Sequence, residues 1–251
     1  MLDLFDANCA LGMVSVPGPA GAFLTAAELV EHQAQYAITR ALPYHALARE
    51  QHAALGNPAL TQAIEGFPNL LPSWVVLPHH TGEFPAPAQL LDEARSAGVR
   101  AFRIFPDEHR IPMDDWMVGD LLTAIEGQVP LFWHIDQLLT DTARDLYRVG
   151  KRYPRLQIVV TDVDKMINRV ITPLLRALPN LWLETSGYRI HRGHEYIAGA
   201  VGDERMLFGT NLPWQSSGGP HAEFLYADLS AEARARIGGL NLESLLATAA
   251  W

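Results

Sequence analysis

The sequence predicts an α/β protein, a distorted (β/α)8 TIM barrel that forms a single domain over residues 1–251. Short apolar segments alternate with amphipathic ones along the chain, which is the pattern of repeated βα units. Several apolar segments, such as SWVVLP and LQIVVT, are continuous, as expected for parallel strands buried on both faces. An open doubly wound sheet is the alternative, but no Gly-rich phosphate turn follows the first predicted strand.

The individual elements follow from local pattern. Thr25 stands before an amphipathic segment with Glu28 three residues later, which predicts a helix that begins with a capping box. Helices are also predicted in APAQLLDEARSAG, DDWMVGDLLTAIEG, TDTARDLYRVGKRYP, NRVITPLLRALPN and SAEARARIGGLNLESLLATAA. EQHAALGNPALTQAIEGFPN is helical only in parts, so an irregular second unit is expected. The predicted strands are 2–9, 40–45, 71–78, 99–105, 130–136, 156–162, 181–186 and 206–211.

Composition restricts the class of protein. The formal net charge of -9 and the lack of a Lys/Arg-rich cluster argue against nucleic acid as a partner. The single cysteine, Cys9, excludes an internal disulfide framework and favours a cytoplasmic location. The segment MLDLFDAN has no basic region that would predict a secretory signal, and no apolar run is long enough to predict a membrane span. A small molecule is therefore the expected partner.

Polar side chains stand where most of the predicted strands end, which is the functional face of such a barrel. His134 and Asp162 each end an apolar run, and partners are expected for polar groups in a barrel mouth. We predict His134, Asp162 and Arg103 as catalytic residues. The predicted substrate-binding residues are Asp6, Asn8, His45, His79, Asn211 and Trp214.

Arg103 has two open interpretations. It lies inside the apolar segment AFRIFP, and a buried guanidinium needs an anion. That anion is either a substrate carboxylate or an internal partner, Asp6 or Asp162. Glu184 is interpreted as a structural residue rather than a proton shuttle. The loop QSSGGP is interpreted as flexible, with presentation of backbone N–H groups to an anion as the alternative.

Several segments, in this order, resemble the amidohydrolase superfamily of metal-dependent hydrolases: FDAN, GVRAFRIFP, VPLFWH, NLWLETSGY, RMLFGTNLPW and IGGLNLESLL. The similarity extends over nearly the whole chain. It is greatest to the amidohydrolase-related branch, which includes aminocarboxymuconate-semialdehyde decarboxylase-like enzymes and pyrone-dicarboxylate lactonases. The resemblance implies a distorted (β/α)8 barrel, usually with one or two divalent metals in its mouth.

The family's metal-binding positions are mostly substituted in this sequence. The resemblance places the first-strand histidine pair at Asn8 and Ala10, the sixth-strand histidine at Asp162 and the eighth-strand aspartate at Asn211. The fifth-strand histidine alone is retained, as His134. An asparagine amide takes up no proton near neutrality, so Asn211 cannot replace a carboxylate base. The usual mononuclear site is therefore expected to be absent.

Three functional hypotheses follow. The first is a hydrolase or decarboxylase that acts on a small carboxylate-bearing molecule without the family metal, as the lactonase branch does. Arg103 would then bind the anion, and His134 and Asp162 would form an acid–base pair. The second is an inactive barrel that binds a metabolite or partner. The third is a metalloenzyme with a relocated divalent ion such as zinc, held by His134, Asp162, His45 and His79, with Asp6 nearby. By analogy with such barrels, a homo-oligomer is also expected.

Overall fold

The computed structural model describes residues 3–135, 140–163 and 168–251, which fold into the predicted (β/α)8 barrel. The strands are β1 Leu4–Leu11, β2 Ile38–His45, β3 Ser73–Val75, β4 Ala101–Ile104, β5 Leu131–His134, β6 Ile158–Thr161, β7 Leu181–Glu184 and β8 Met206–Leu207. The helices are α1 Ala26–Ala34, α2 Ala46–Glu50, α3 Ala53–Ala63, α4 Pro87–Ser96, α5 Pro106–His109, α6 Asp115–Ile125, α7 Thr140–Arg152, α8 Asn168–Ala177, α9 Gly193–Val201, α10 Gly218–Tyr226, α11 Ala231–Ala235 and α12 Asn241–Leu246, with a π-helical turn, Arg236–Leu240, between the last two.

The eight strands in the described part of the chain are parallel and follow one another in sequence order around the barrel. β3 to β8 form one sheet and β1 pairs with β2. Backbone hydrogen bonds join the two sheets at both edges, from Ala7 to the Phe208 carbonyl at 2.9 Å and from Leu71 to the Ala41 carbonyl at 2.9 Å. The carboxyl ends of the strands therefore surround one mouth, which is where barrel enzymes place their chemistry.

The core has two parts. Inward-facing apolar residues fill the lower barrel together with Leu242, Leu245 and Leu246 of α12, which closes that end. The larger part packs between the strands and the helices and includes Phe102, Trp133 and Val160, as expected for strands buried on both faces. Above the apolar filling, the inward-facing residues become polar, and these side chains build the mouth.

Most of the predicted elements are present, with different ends, and three helices that were not predicted, α5, α9 and α10, are found in addition. The capping box of α1 is confirmed, since Glu28 N–H donates to Thr25 Oγ1 at 3.2 Å and Thr25 N–H donates to Glu28 Oε2 at 3.0 Å. The second unit is interrupted, as expected, between α2 and α3. The prediction of a flexible loop for QSSGGP is wrong in its second half, because α10 begins at Gly218.

Asp136, the last residue of the predicted strand 130–136, and Asp164, two residues after the predicted strand 156–162, lie outside the described residues. None of the helices in the described part of the chain combines the length and the apolar character needed to cross a membrane.

Candidate active site at the barrel mouth

His134 and Asp162 face each other across the mouth. His134 ends β5, is almost fully buried, and has its Nε2 3.8 Å from Asp162 Oδ2. Asp162 follows β6 in a left-handed conformation, with φ 59°. Its Oδ1 accepts hydrogen bonds from Asn211 Nδ2 at 2.8 Å and Gln215 Nε2 at 3.2 Å, which leave Oδ2 directed toward the histidine. The structure thus brings the predicted pair together.

Sequence reasoning missed an arginine in the mouth, Arg49 of α2. Its Nη2 donates to His134 Nε2 at 3.2 Å and its Nε donates to Glu108 Oε1 at 2.7 Å. The guanidinium also lies over the ring of Trp214, 4.4 Å from its centroid. Although burial alone would lower it, the pKa of Arg49 is raised by Tyr44 and Glu108, so the group remains charged. Arg49 lies in the irregular second unit, where local pattern gives no signal.

His45 has a structural position that differs from its predicted role. Its Nδ1 accepts the Leu47 N–H at 3.2 Å and so caps the start of α2, the helix that carries Arg49. The imidazole packs against Gly12, where a Cβ atom would come within 2.4 Å of the ring. The Nδ1 atom of His45 is therefore occupied by the backbone. His45 influences the mouth by fixing the position of α2, which carries Arg49.

His79 lies in the segment after β3, and its ring packs against that of His80 with centroids 4.6 Å apart. Among the described residues, no three His, Cys, Asp or Glu side chains are placed to hold a metal ion. The structure therefore does not assemble the relocated ligand set predicted from His45, His79, His134 and Asp162.

The prediction that Arg103 binds a substrate carboxylate is not supported by its surroundings. Only 2 % of the residue is exposed, and it donates hydrogen bonds to Ser73 Oγ, Asn8 Oδ1 and the carbonyls of Ala7 and Leu42 at 2.7–3.2 Å. These acceptors belong to the barrel wall, so the guanidinium joins β1 to β4 instead of facing the cleft. The alternative of a direct ion pair with Asp6 or Asp162 is likewise not observed within the described residues.

Asp6 and Asn8 are also internal. Asp6 accepts hydrogen bonds from Gln33 Nε2 at 3.0 Å and from the Thr210 backbone at 3.0 Å, and burial raises its pKa to about 6. Asn8 Nδ2 donates to Glu184 Oε2 at 3.0 Å. Burial raises the pKa of Glu184 to about 7, against hydrogen bonds from Ser186 that lower it. These groups lie below the mouth and are buried. Asp6 and Asn8 therefore expose no surface for the predicted contact with substrate.

The side chains at the positions where the resemblance expects metal ligands are engaged within the protein. Asn8 and Asn211 direct amide N–H groups at Glu184 and Asp162. Ala10 has no donor atom. An N–H group cannot coordinate a cation, and each amide occupies a carboxylate that a metal would need.

A cleft of about 640 Å³ lies beside the mouth, and two of its lining residues, Arg49 and Glu108, reach His134 Nε2 at 3.2 and 3.7 Å, whereas His134 and Asp162 themselves do not line it. Arg49, Glu108 and Trp214 belong to its wall, and Arg49 contacts each of the other two. The prediction that Trp214 lines a pocket agrees with this position. The other residues around the cleft are Ser15, Glu50, Gln51, His52, Leu77, Glu83 and His109. The cleft therefore combines one arginine with an aromatic face beside a buried histidine.

Comparison with known proteins identifies the family. The Amidohydrolase profile matches residues 18–246. The chain belongs to the amidohydrolase family. No curated protein shows a significant match to this amidohydrolase sequence. The resemblance to this family is thus confirmed, whereas the loss of the metal ligands stays a prediction from the sequence.

Solved structures share the fold of this amidohydrolase at low sequence identity. An uncharacterized TIM-barrel protein from Bordetella bronchiseptica has a TM-score of 0.77 and 17 % identity, over 100 % of both chains. The 5-carboxyvanillate decarboxylase from Sphingomonas paucimobilis has a TM-score of 0.76 and 14 % identity, over 98 % of this chain and 99 % of that one. The 2,6-dihydroxybenzoate decarboxylase from Rhizobium has a TM-score of 0.72 and 15 % identity, over the same shares. These likenesses confirm the barrel over the full length.

Proposed function

We propose that this chain is an enzyme that decarboxylates or hydrolyses a small carboxylate-bearing molecule, with His134 and Asp162 as its acid–base pair. The observation that carries the proposal is the placement of His134 Nε2, 3.8 Å from Asp162 and 3.2 Å from Arg49, a residue that lines the neighbouring cleft. A proton-transferring group, a carboxylate and a fixed cation at one end of a cleft are the parts that such a reaction needs.

Arg49 is the group that would bind the substrate carboxylate. A guanidinium has five N–H donors, and in Arg49 four of them are directed at Glu108, Tyr44 and His134. A substrate carboxylate would bind the remaining Nη1 donor, or would replace Glu108 as the anionic partner. Trp214 is stacked on Tyr44, with ring planes 8° apart, and contributes an aromatic side chain to the wall of the cleft. Aromatic acids fit this combination, and the two decarboxylases of similar fold are named for aromatic acids.

In hydrolysis, His134 would take a proton from the attacking water at Nε2 and then pass it to the leaving group. In decarboxylation, His134 would first take up a proton from solvent and then deliver it to the substrate carbon that loses CO2. Asp162 would orient the imidazole and stabilise its protonated form. Because the donor set does not fit the family's metal, no step is assigned to a metal. A cytoplasmic location and a homo-oligomeric state stay predictions from the sequence.

The test is a turnover screen with aromatic acids, lactones and amides, using the wild type, His134→Asn and Asp162→Asn. We expect each substitution to lower kcat/KM by about 10²-fold or more, the usual contribution of a general acid or base. His191→Asn is the matched control, because His191 is exposed in the loop before α9 and contributes no group to the cleft. Undiminished turnover in either mouth variant would overturn the assignment.

One observation favours a binding protein as the second candidate. Asp162 accepts amide hydrogen bonds from both Asn211 and Gln215, so one of its two carboxylate oxygens, Oδ1, is already used within the protein. Thermal stabilisation by an aromatic acid without turnover in the same screen would support this candidate and exclude the catalytic one. Stoichiometric metal in freshly purified protein would instead support the metalloenzyme hypothesis.

A further inference from the structure

Glu108 occupies one edge of the Arg49 guanidinium. Its Oε1 accepts a hydrogen bond from Arg49 Nε at 2.7 Å and another from Arg49 Nη2, so a single carboxylate oxygen uses two donors. The side chain of Glu108 is 26 % exposed, that of Arg49 is 13 % exposed, and both line the cleft. An anion that enters from the cleft therefore finds these two donors already bound to an internal carboxylate.

The other donors of Arg49 offer an anion less. Nη1 donates to the hydroxyl of Tyr44, which is buried, at 3.3 Å, and Nη2 also donates to His134 Nε2 at 3.2 Å. Among the described residues, this leaves one Nη1 donor, which can make a single hydrogen bond. The edge formed by Nε and Nη2 can make two parallel hydrogen bonds to one carboxylate, which is the stronger arrangement. That edge is therefore the better place for a substrate carboxylate.

The carboxylate of Glu108 also lies beside the proposed proton-transferring group. Its Oε1 is 3.7 Å from His134 Nε2. A substrate carboxylate in the same place would bring the carbon that carries it close to the imidazole, where protonation after loss of CO2 requires it. Glu108 thus stands where the proposed decarboxylation needs the carboxylate of its substrate.

Two more glutamates on the wall limit the class of ligand. Glu50 accepts hydrogen bonds from the Ser15 backbone at 2.7 Å and from Ser15 Oγ at 2.6 Å, and Glu83 lies 3.8 Å from His52. Both glutamates line the same cleft as Arg49. A second carboxylate on a ligand would meet these like charges, so the lining suits a monocarboxylate better than a dicarboxylate.

We propose that Glu108 is a specificity-determining residue, which occupies the substrate's place on Arg49 in the free protein and withdraws when a small monocarboxylate binds. The inference rests on the proposed function, because it takes Arg49 as the carboxylate-binding group. The exchange replaces one carboxylate by another on the same donors, so the guanidinium is never left unpaired. Because only molecules with Glu108 withdrawn can bind, Glu108 lowers the apparent affinity for the ligand.

The experiment is calorimetric titration of the whole protein with benzoate. For the wild type we expect a dissociation constant on the order of 1 mM. Glu108→Gln keeps the size of the side chain and removes the competing charge, so benzoate should bind about tenfold more tightly. Glu83→Gln is the matched control, because it removes an exposed carboxylate of the same cleft that pairs with His52, and the expected change is less than about twofold.

Equal affinities of the wild type and Glu108→Gln, or no binding of benzoate by either, would overturn the proposal. An equal gain in Glu83→Gln would do the same, because it would show a general effect of charge. Isophthalate, a dicarboxylate, should bind more weakly than benzoate, and tighter binding would contradict the preference for a monocarboxylate.

A double variant locates the anion. Adding Arg49→Gln to Glu108→Gln removes both charges of the pair together, which leaves no unpaired charge in the mouth. Benzoate binding should then be lost. Retained binding would place the anion on a group other than Arg49 and would contradict the proposal.

The titrations are separable from turnover. A gain in Glu108→Gln without turnover in the screen would remove the catalytic assignment and keep the carboxylate site on Arg49. No gain in Glu108→Gln, together with loss of turnover in His134→Asn, would remove the role of Glu108 and keep the proposed reaction.

Discussion

Arg103 and Asn8 are neighbours inside the barrel because of a local irregularity in β1. The register between β1 and β2 shifts between Asp6 and Cys9, so the simple alternation of inward and outward side chains is lost there. Asp6 consequently contacts Thr210 and Gln33, whereas Asn8 contacts Glu184 and Arg103. A buried guanidinium that satisfies these acceptors supports the floor of the mouth without touching the cleft.

We predict that Arg103→Met destabilises the protein by about 3–5 kcal/mol, because it leaves Asn8, Ser73 and two carbonyls without a donor in the interior. Arg144→Met is the control, because Arg144 is mostly exposed and pairs with Asp141 within one helical turn, so its loss should cost less than about 0.5 kcal/mol. Urea unfolding measures both. Similar losses in the two variants would contradict the structural role.

At the scale of elements, the position of α2 decides where the cation of the mouth lies. The helix is only five residues long, and it is fixed by its cap His45, which in turn packs on Gly12 of the segment after β1. A short helix gains little stability of its own, so these tertiary contacts determine its direction. Arg49 reaches His134 only because α2 points along the mouth.

Gly12→Ala should therefore displace His45 and weaken the fold. Gly12 has φ 94°, and the added Cβ would lie 2.4 Å from the His45 ring. The expected loss exceeds about 1 kcal/mol, since strain and a clash act together. Gly66→Ala, at φ 84° with open space around it, isolates the strain. The two losses are compared by urea unfolding, and an equal loss in both variants would show that the contact with His45 is unimportant.

At the scale of the whole molecule, closure of the barrel buries titratable groups together. Asp6 and Glu184 are completely buried below the mouth, and burial raises the pKa of each, to about 6 and about 7. A carboxyl group with a raised folded-state pKa binds its proton more tightly in the folded protein. The group therefore makes its full contribution to the free energy of unfolding at pH values below its pKa in the unfolded protein. That contribution is lost as the pH rises through its pKa in the folded protein.

For Glu184, the pH range over which this contribution is lost extends from the ordinary pKa of 4.5 to the folded-state pKa of about 7. The free energy of unfolding should therefore fall as the pH rises through that range, by a few kcal/mol from this group. His194 has a lowered pKa and acts in the opposite direction, so the difference between the wild type and Glu184→Gln is the quantity to measure. Urea unfolding at several pH values between 5 and 8 gives it. A difference that does not change with pH would contradict a raised pKa for Glu184.

The sequence by itself determined the barrel, the capping of α1 and the strand ends from which His134 and Asp162 project, because alternation and capping are local patterns. It did not determine which arginine faces the cleft. The sequence predicted Arg103 as a substrate-binding arginine, but its guanidinium is buried in the barrel wall. No local sequence pattern pointed to Arg49, which lies in the mouth. The tertiary structure alone decided this, through the register shift in β1 and the placement of α2 by His45 and Gly12. Both depend on contacts between residues distant in the chain, which periodicity cannot encode.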